Sequence, residues 1–318
     1  MTANLSVSIG GLMLKNPVMP ASGCFGYGEE YAPFYDLTRL GAIVVKGTTA
    51  EPCLGNAPIR IAETAAGMLN AIGLQNPGVV AAREKIQRLS SYNTPVIVNI
   101  AGHSTEQYLR VIEVLEDEPA AAAYEVNISC PNVKAGGMAF GTDPMVVTRL
   151  ITAIRAVTKK TVIVKLSPNV TDIVPVALAA ESAGADALSL INTLVGMAID
   201  AETRRPVLAN LTGGLSGPAI KPVALRLVWQ VSDAVSIPVI GMGGISCAED
   251  ALEFILAGAT AVGIGAANFS NPTVCPDVID GIAAYLQRHN FASVQEIIGL
   301  AKNRGTDNTG GECACETK

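Results

Sequence analysis

The sequence predicts an α/β protein folded as a closed (β/α)8 TIM barrel with an N-terminal β-hairpin, and three observations carry that reading. Short apolar runs rich in β-branched residues recur along the chain, helix-compatible stretches separate them, and polar side chains fall at the C-terminal end of the runs. The runs are almost wholly apolar, as befits parallel strands covered on both faces.

The runs lie at 16–21 (NPVMPA), 42–46 (AIVVK), 95–100 (PVIVNI), 124–129 (YEVNIS), 162–167 (VIVKLS), 187–192 (ALSLIN), 237–242 (IPVIGM) and 261–266 (AVGIGA). Helices are expected over 77–91, 104–116, 144–158, 172–183, 219–234, 248–257 and 275–288, several opening on Ser, Thr, Asp or Asn caps. AESAGADAL and FILAGATAVGIG each end a helix at glycine just before a strand. Eight such repeats favour a closed barrel; an open doubly wound sheet has an early GxGxxG turn, which this chain lacks.

Residues 4–14 (LSVSIGGLMLK) alternate around Gly10-Gly11, the pattern of a β-hairpin able to plug the barrel floor. Segments 47–76 and 131–143 are glycine-rich and read as long loops after the second and fourth strands, and long loops at that face are usually functional.

At 318 residues the chain is long enough for one barrel, assigned to residues 1–304, with 305–318 a polar glycine-rich tail expected to be disordered. A net charge of −6 supplies no basic field for a nucleic-acid backbone. The start lacks a basic region before an apolar run, and no stretch approaches the roughly 18 apolar residues of a membrane span, so a cytoplasmic protein is expected. The seven cysteines, at 24, 53, 130, 247, 275, 313 and 315, show no metal-site spacing and are expected to be mostly reduced, buried thiols; no metal is assigned, and Cys313 and Cys315 receive no role.

Ser22, Lys46, Asn99, Asn127, Lys165 and Asn192 all fall at or just beyond the end of an apolar run, and in a barrel these ends converge on one mouth. Glycine pairs follow the last two strands, at 241–245 (GMGGI) and 263–267 (GIGAA), where bare backbone N–H groups suit the phosphate of a cofactor. A Lys165 ammonium inside the mouth needs a negative partner, such as the N1/C2=O edge of a reduced flavin.

Only two histidines occur, His103 and His289, both near helix ends, so a proton abstraction needs another base. Cys130 is the candidate, placed after NIS and before Pro131-Asn132 with a thiol pKa ordinarily near about 8.5. Asn70, Asn127, Asn132 and Asn192 each offer the paired donor and acceptor that suit a planar, uracil-like ring.

NISCPNVKAGGMAFGTDP (127–144) resembles the catalytic loop of class 1 dihydroorotate dehydrogenases, and NPVMPASGCFGYG, VVKGTT, GMLNAIGLQNPG, VKLSPN, LINT, GGLSGPAIKP and PVIGMGGI agree in order over residues 5–300. The VKAGG loop makes it most like subclass 1B. That resemblance implies the catalytic subunit of a dihydroorotate dehydrogenase, oxidising dihydroorotate to orotate in pyrimidine (UMP) biosynthesis. It further implies a homodimer core within a heterotetramer, whose FAD- and [2Fe-2S]-bearing subunit passes electrons to NAD.

Carried over by position, the family's FMN site falls on Ala21, Ser22, Lys46, Gly47, Asn99, Asn127, Lys165, Ile191, Gly217, Gly243, Gly244, Gly265 and Ala266. Ala266 stands where relatives often carry a hydroxyl. The orotate site falls on Lys46, Asn70, Ile72, Gly73, Leu74, Asn127, Asn132, Asn192 and Thr193, with Lys46 facing the carboxylate. In this reading Cys130 is the catalytic base and Lys165 steadies the reduced flavin. Three rivals stay open: a flavin barrel acting on a pyrimidine base or tRNA uridine, a flavin-free lyase with Lys165 as Schiff-base lysine, and a non-catalytic binding barrel.

Overall fold

The computed structural model describes residues 3–128 and 141–302. Cys130 and Asn132, and the tail with Cys313 and Cys315, lie outside the described residues.

Eight parallel strands form the central sheet: β1 (Val18–Pro20), β2 (Ile43–Thr48), β3 (Val96–Ile100), β4 (Ala121–Asn127), β5 (Thr161–Lys165), β6 (Ala187–Leu190), β7 (Val239–Met242) and β8 (Ala261–Ile264). Ladder pairing runs β2-β3-β4-β5-β6-β7-β8-β1, the sequence order of a barrel. The remaining seam, between β1 and β2, is drawn together by the Gly41 N–H donating to Val18 O at 2.9 Å. The strand residues are buried almost throughout, because the barrel interior covers one face and the outer helices the other.

The outer layer comprises α1 (Val79–Arg88), α2 (Thr105–Leu115), α3 (Pro144–Arg155), α4 (Val174–Ser182), α5 (Lys221–Ala234), α6 (Ala248–Leu256), the short α7 (Ala267–Ser270) and α8 (Val274–Arg288). Asp143 caps α3 by accepting from the Met145 N–H at 2.8 Å. The expected glycine stops after α4 and α6 are Gly184 and Gly258, at φ 98° and 110°. The connection after β1 carries two single 3-10 turns, Glu29–Tyr31 and Leu37–Arg39, in place of an α-helix.

The expected hairpin is present as Val7–Ile9 paired with Leu12–Leu14, turning through Gly10 and Gly11 at φ 53° and 87°. Val7, Ile9 and Leu14 are buried, and Thr161 at the start of β5 donates through its hydroxyl to Gly10 O at 3.0 Å, so the hairpin closes the end of the barrel opposite the mouth.

Segment 47–76 departs from the expected loop. Ile61–Thr64 and Gly67–Asn70 form a hairpin that continues, through Thr212–Ser216, to Leu194–Met197 in a four-stranded antiparallel sheet. Its strands are short and glycine-rich, and one of its three ladders joins strands some 145 residues apart, as Asn70 opposite Gly214 shows. Local patterning therefore carried no signal for it.

Candidate active site

Strand register builds the polar belt of the mouth, because paired residues on parallel neighbours stand side by side on one face. Asn99 pairs with Glu125, Asn127 with Lys165, and Lys165 with Ser189. Glu125 and Asn127, two residues apart on β4, point the same way. The β2–β3 ladder slips between Val45 and Thr48, which oppose Val98 and Ile100; this bulge holds Lys46 and Gly47 and re-aims them.

Lys165 Nζ donates to Ser22 Oγ at 3.2 Å and lies 3.7 Å from Glu125 Oε2. Glu125 also accepts from Asn99 Nδ2 at 2.6 Å and from Ser189 Oγ at 2.7 Å. The Lys165 and Glu125 side chains are only 5% and 4% exposed, so the ammonium already has a negative partner within the chain. Sequence reasoning missed Glu125; the signal was an acidic residue inside the apolar run YEVNIS.

Lys46 sits across from this group: a Cβ on Gly23 would come 3.6 Å from its Nζ. Burial pulls the Lys46 ammonium below the usual lysine range, with Arg60 and Lys165 adding repulsion. Cys24 is a second residue missed from sequence; burial pushes its thiol up, against the pull of Lys165 and Lys46. Of the four described cysteines only Cys275 is fully buried and Cys247 is exposed, so the expectation of mostly buried thiols fails among them. His103 and His289 are both exposed.

The phosphate-type loops come together beyond β7 and β8. Gly243 and Gly244 take φ 127° and 80°, and a Cβ on Gly244 would lie 2.9 Å from Lys221 N and 3.0 Å from Gly217 O. The loop after β7 thus packs, at Gly244, directly against Gly217 and the start of α5, while Ile191 packs beside Gly243. Lys221 bonds Asp250 at 2.7 Å and Glu253 at 2.8 Å, tying α5 to α6 behind the turn. Burial opposes the charge on Asp250, but bonds from Lys221 and Ser246 hold its carboxyl down at about 2. Ala21 donates to Ile264 O at 2.7 Å, and a Cβ on Gly265 would stand 3.8 Å from both Ala21 Cβ and Cys24 Sγ. Ala266 follows directly, before α7.

The four-stranded sheet brings the other predicted residues to the rim. Asn70 Nδ2 donates to Gly214 O at 3.3 Å, and Gly214 packs directly on Thr193. Ile72 O accepts from Asn56 N at 3.0 Å, Gly73 packs against the same Asn56, and Leu74 reaches to 3.6 Å from a Cβ placed on Gly47. Asn192 Nδ2 donates to Asn127 Oδ1 at 3.4 Å, joining the ends of β4 and β6.

The donor set suits a flavin. Asn99 Oδ1 is buried with no hydrogen-bond partner among the described residues, and an amide-type N–H of an isoalloxazine ring is the donor such an acceptor takes. A side chain at Gly47 would fill the same space, its Cβ 2.9 Å from that oxygen.

A family model described as dihydroorotate dehydrogenase matches residues 4–286. The chain belongs to the dihydroorotate dehydrogenase family. Among its relatives, the dihydroorotate dehydrogenase B (NAD(+)) catalytic subunit of Trichlorobacter lovleyi is 58% identical over 296 residues, covering 93% of this chain and 97% of the relative. The subunit of the same description from Bacillus pumilus is 56% identical, over 93% of this chain and 96% of its own. That from Bacteroides fragilis is 57% identical, over 93% and 98%. Within the family the chain therefore groups with the B type, subclass 1B. The crystal structure of the Eimeria tenella enzyme in complex with ferulenol superposes with a TM-score of 0.80 at 24% identity, covering 94% of this chain and 89% of that one, which shows the barrel fold. No helix among the described residues is long and apolar enough to cross a membrane.

Proposed function

We propose that this chain is the catalytic subunit of an NAD-linked dihydroorotate dehydrogenase, oxidising dihydroorotate to orotate in de novo pyrimidine biosynthesis. The observation that carries the reading is the belt formed by Ser22, Lys165, Asn99, Asn127 and Asn192 beside the glycine turns of β7 and β8, within a family member.

FMN, when bound, supplies the two-electron acceptor. Ala21, Ser22, Lys46, Gly47, Asn99, Asn127, Lys165 and Ile191 would hold its ring side, and Gly217, Gly243, Gly244, Gly265 and Ala266 its phosphate side. Lys46 pairs with the substrate carboxylate, while Asn70, Asn127, Asn132 and Asn192 take the ring's amide edges and Ile72, Gly73, Leu74 and Thr193 enclose it. Cys130 receives the proton from C5 of dihydroorotate, and Lys165 balances the negative charge that arrives with the electrons. One barrel domain over 1–304 carries these groups. The partner is an electron-transfer subunit with FAD and a [2Fe-2S] cluster, the assembly is a heterotetramer on a homodimer core, and its compartment is the cytoplasm.

Anaerobic mixing of the purified chain with dihydroorotate should bleach the oxidised flavin band. A colourless protein favours the Schiff-base lyase, and flavin that stays oxidised even with the reductase subunit present defeats the dehydrogenase reading.

A further inference from the structure

Glu125 belongs to none of the roles assigned above, yet it is the most buried carboxylate in the barrel's polar belt. Both its oxygens are engaged: Oε2 by Asn99 Nδ2 at 2.6 Å and by Lys165 at 3.7 Å, Oε1 by Ser189 Oγ at 2.7 Å. An amide nitrogen can only donate, so the bond from Asn99 settles which way that carboxamide faces and leaves Oδ1 as the buried acceptor beside Gly47. The same carboxylate offsets the ammonium that also donates to Ser22. Two features of the mouth, the orientation of Asn99 and the local charge at Lys165, therefore trace to one residue beneath it.

We propose that Glu125 is a positioning residue that presents the Asn99 acceptor to the bound flavin and, by offsetting Lys165, lowers the flavin's affinity for electrons and nucleophiles. The inference rests on the flavin reading above. A negative charge in a buried, low-dielectric belt acts strongly on a ring seated nearby, and removing it makes the ring easier to reduce.

The test is Glu125→Gln. The new amide oxygen can still accept from Asn99 and its nitrogen can donate to the Ser189 hydroxyl, so the packing is kept while the charge is lost. Sulfite, which adds at N5 of electron-poor oxidised flavins, is titrated into FMN-loaded protein and followed by the loss of flavin absorbance. E125Q should bind sulfite at least about tenfold more tightly, and its flavin midpoint potential should move to a more positive value. Glu125→Asp, which keeps the charge, should return sulfite affinity to within about threefold of the parent. If E125Q alone does not accumulate, E125Q/K165M is compared with K165M, since the double variant leaves no buried charge unpaired; the same tightening is expected. Bound FMN with unchanged sulfite affinity and potential overturns this inference alone. A chain that takes up no FMN overturns the functional reading, and this inference with it.

Discussion

Lys165, at the end of β5, donates to the hydroxyl of Ser22, beyond β1, at 3.2 Å and 143 residues away in sequence. The two strands stand on opposite sides of an eight-strand ring, so the bond crosses the bore of the barrel at its mouth. Lys165→Met should slow flavin reduction by dihydroorotate by roughly 10²–10³ in stopped-flow mixing, the scale of losing one preorganised charge from a dry site. It also strands Glu125, and should lower stability by about 3–5 kcal/mol in denaturant titration.

Cys130→Ala should leave FMN bound while slowing flavin reduction by about 10²–10⁴, because the proton at C5 loses its acceptor. Single-turnover reduction at the parent rate would remove Cys130 from the role of base.

Lys46 titrates below its unfolded value because burial disfavours the ammonium. Folding disfavours protonated Lys46, so its contribution to stability improves as pH climbs from the folded toward the unfolded value. Orotate binding needs the ammonium and should weaken over that same alkaline rise. Orotate titration of FMN-loaded protein against pH should show affinity falling before about 10.4, the ordinary lysine value. Lys46→Arg should remove that fall, since guanidinium stays charged.

Gly244→Ala forces a Cβ to within 2.9 Å of Lys221 N at φ 80°. The strain, about 1–3 kcal/mol, falls on the turn assigned to the phosphate. The purified variant should carry less FMN than the parent, read from its flavin-to-protein absorbance ratio, and excess FMN should restore part of its thermal stability.

Gly10→Ala supplies the opposite case. At φ 53° its Cβ would strike Asp186, distorting the floor hairpin on the far side of the barrel from the mouth. Thermal unfolding should report a loss of about 1–3 kcal/mol, while FMN content and the rate of flavin reduction stay at parent values.

Much of this was legible from residues alone. The ends of all eight barrel strands fall within two residues of the apolar runs, except that β4 begins at Ala121, three residues ahead of its run. Burial on both faces demands a continuous apolar stretch, which is a strong local signal. Ser22, Lys46, Asn99, Asn127, Lys165 and Asn192 stand out because polar side chains interrupt such stretches at a repeated place. Glu125 interrupts one as well, but in mid-strand, where its purpose shows only once Asn99, Lys165 and Ser189 are set beside it.

Sequence by itself determined the repeat, the family through its catalytic-loop motif, and the set of polar residues able to meet at one barrel end, because each is written in local periodicity and residue type. Tertiary structure decided who pairs with whom. It placed Lys165 against Glu125, pointed the Asn99 oxygen toward Gly47, and assembled the rim sheet from segments 145 residues apart. Such pairings depend on strand register and barrel closure, which are properties of the whole chain and leave no mark in any short window of it.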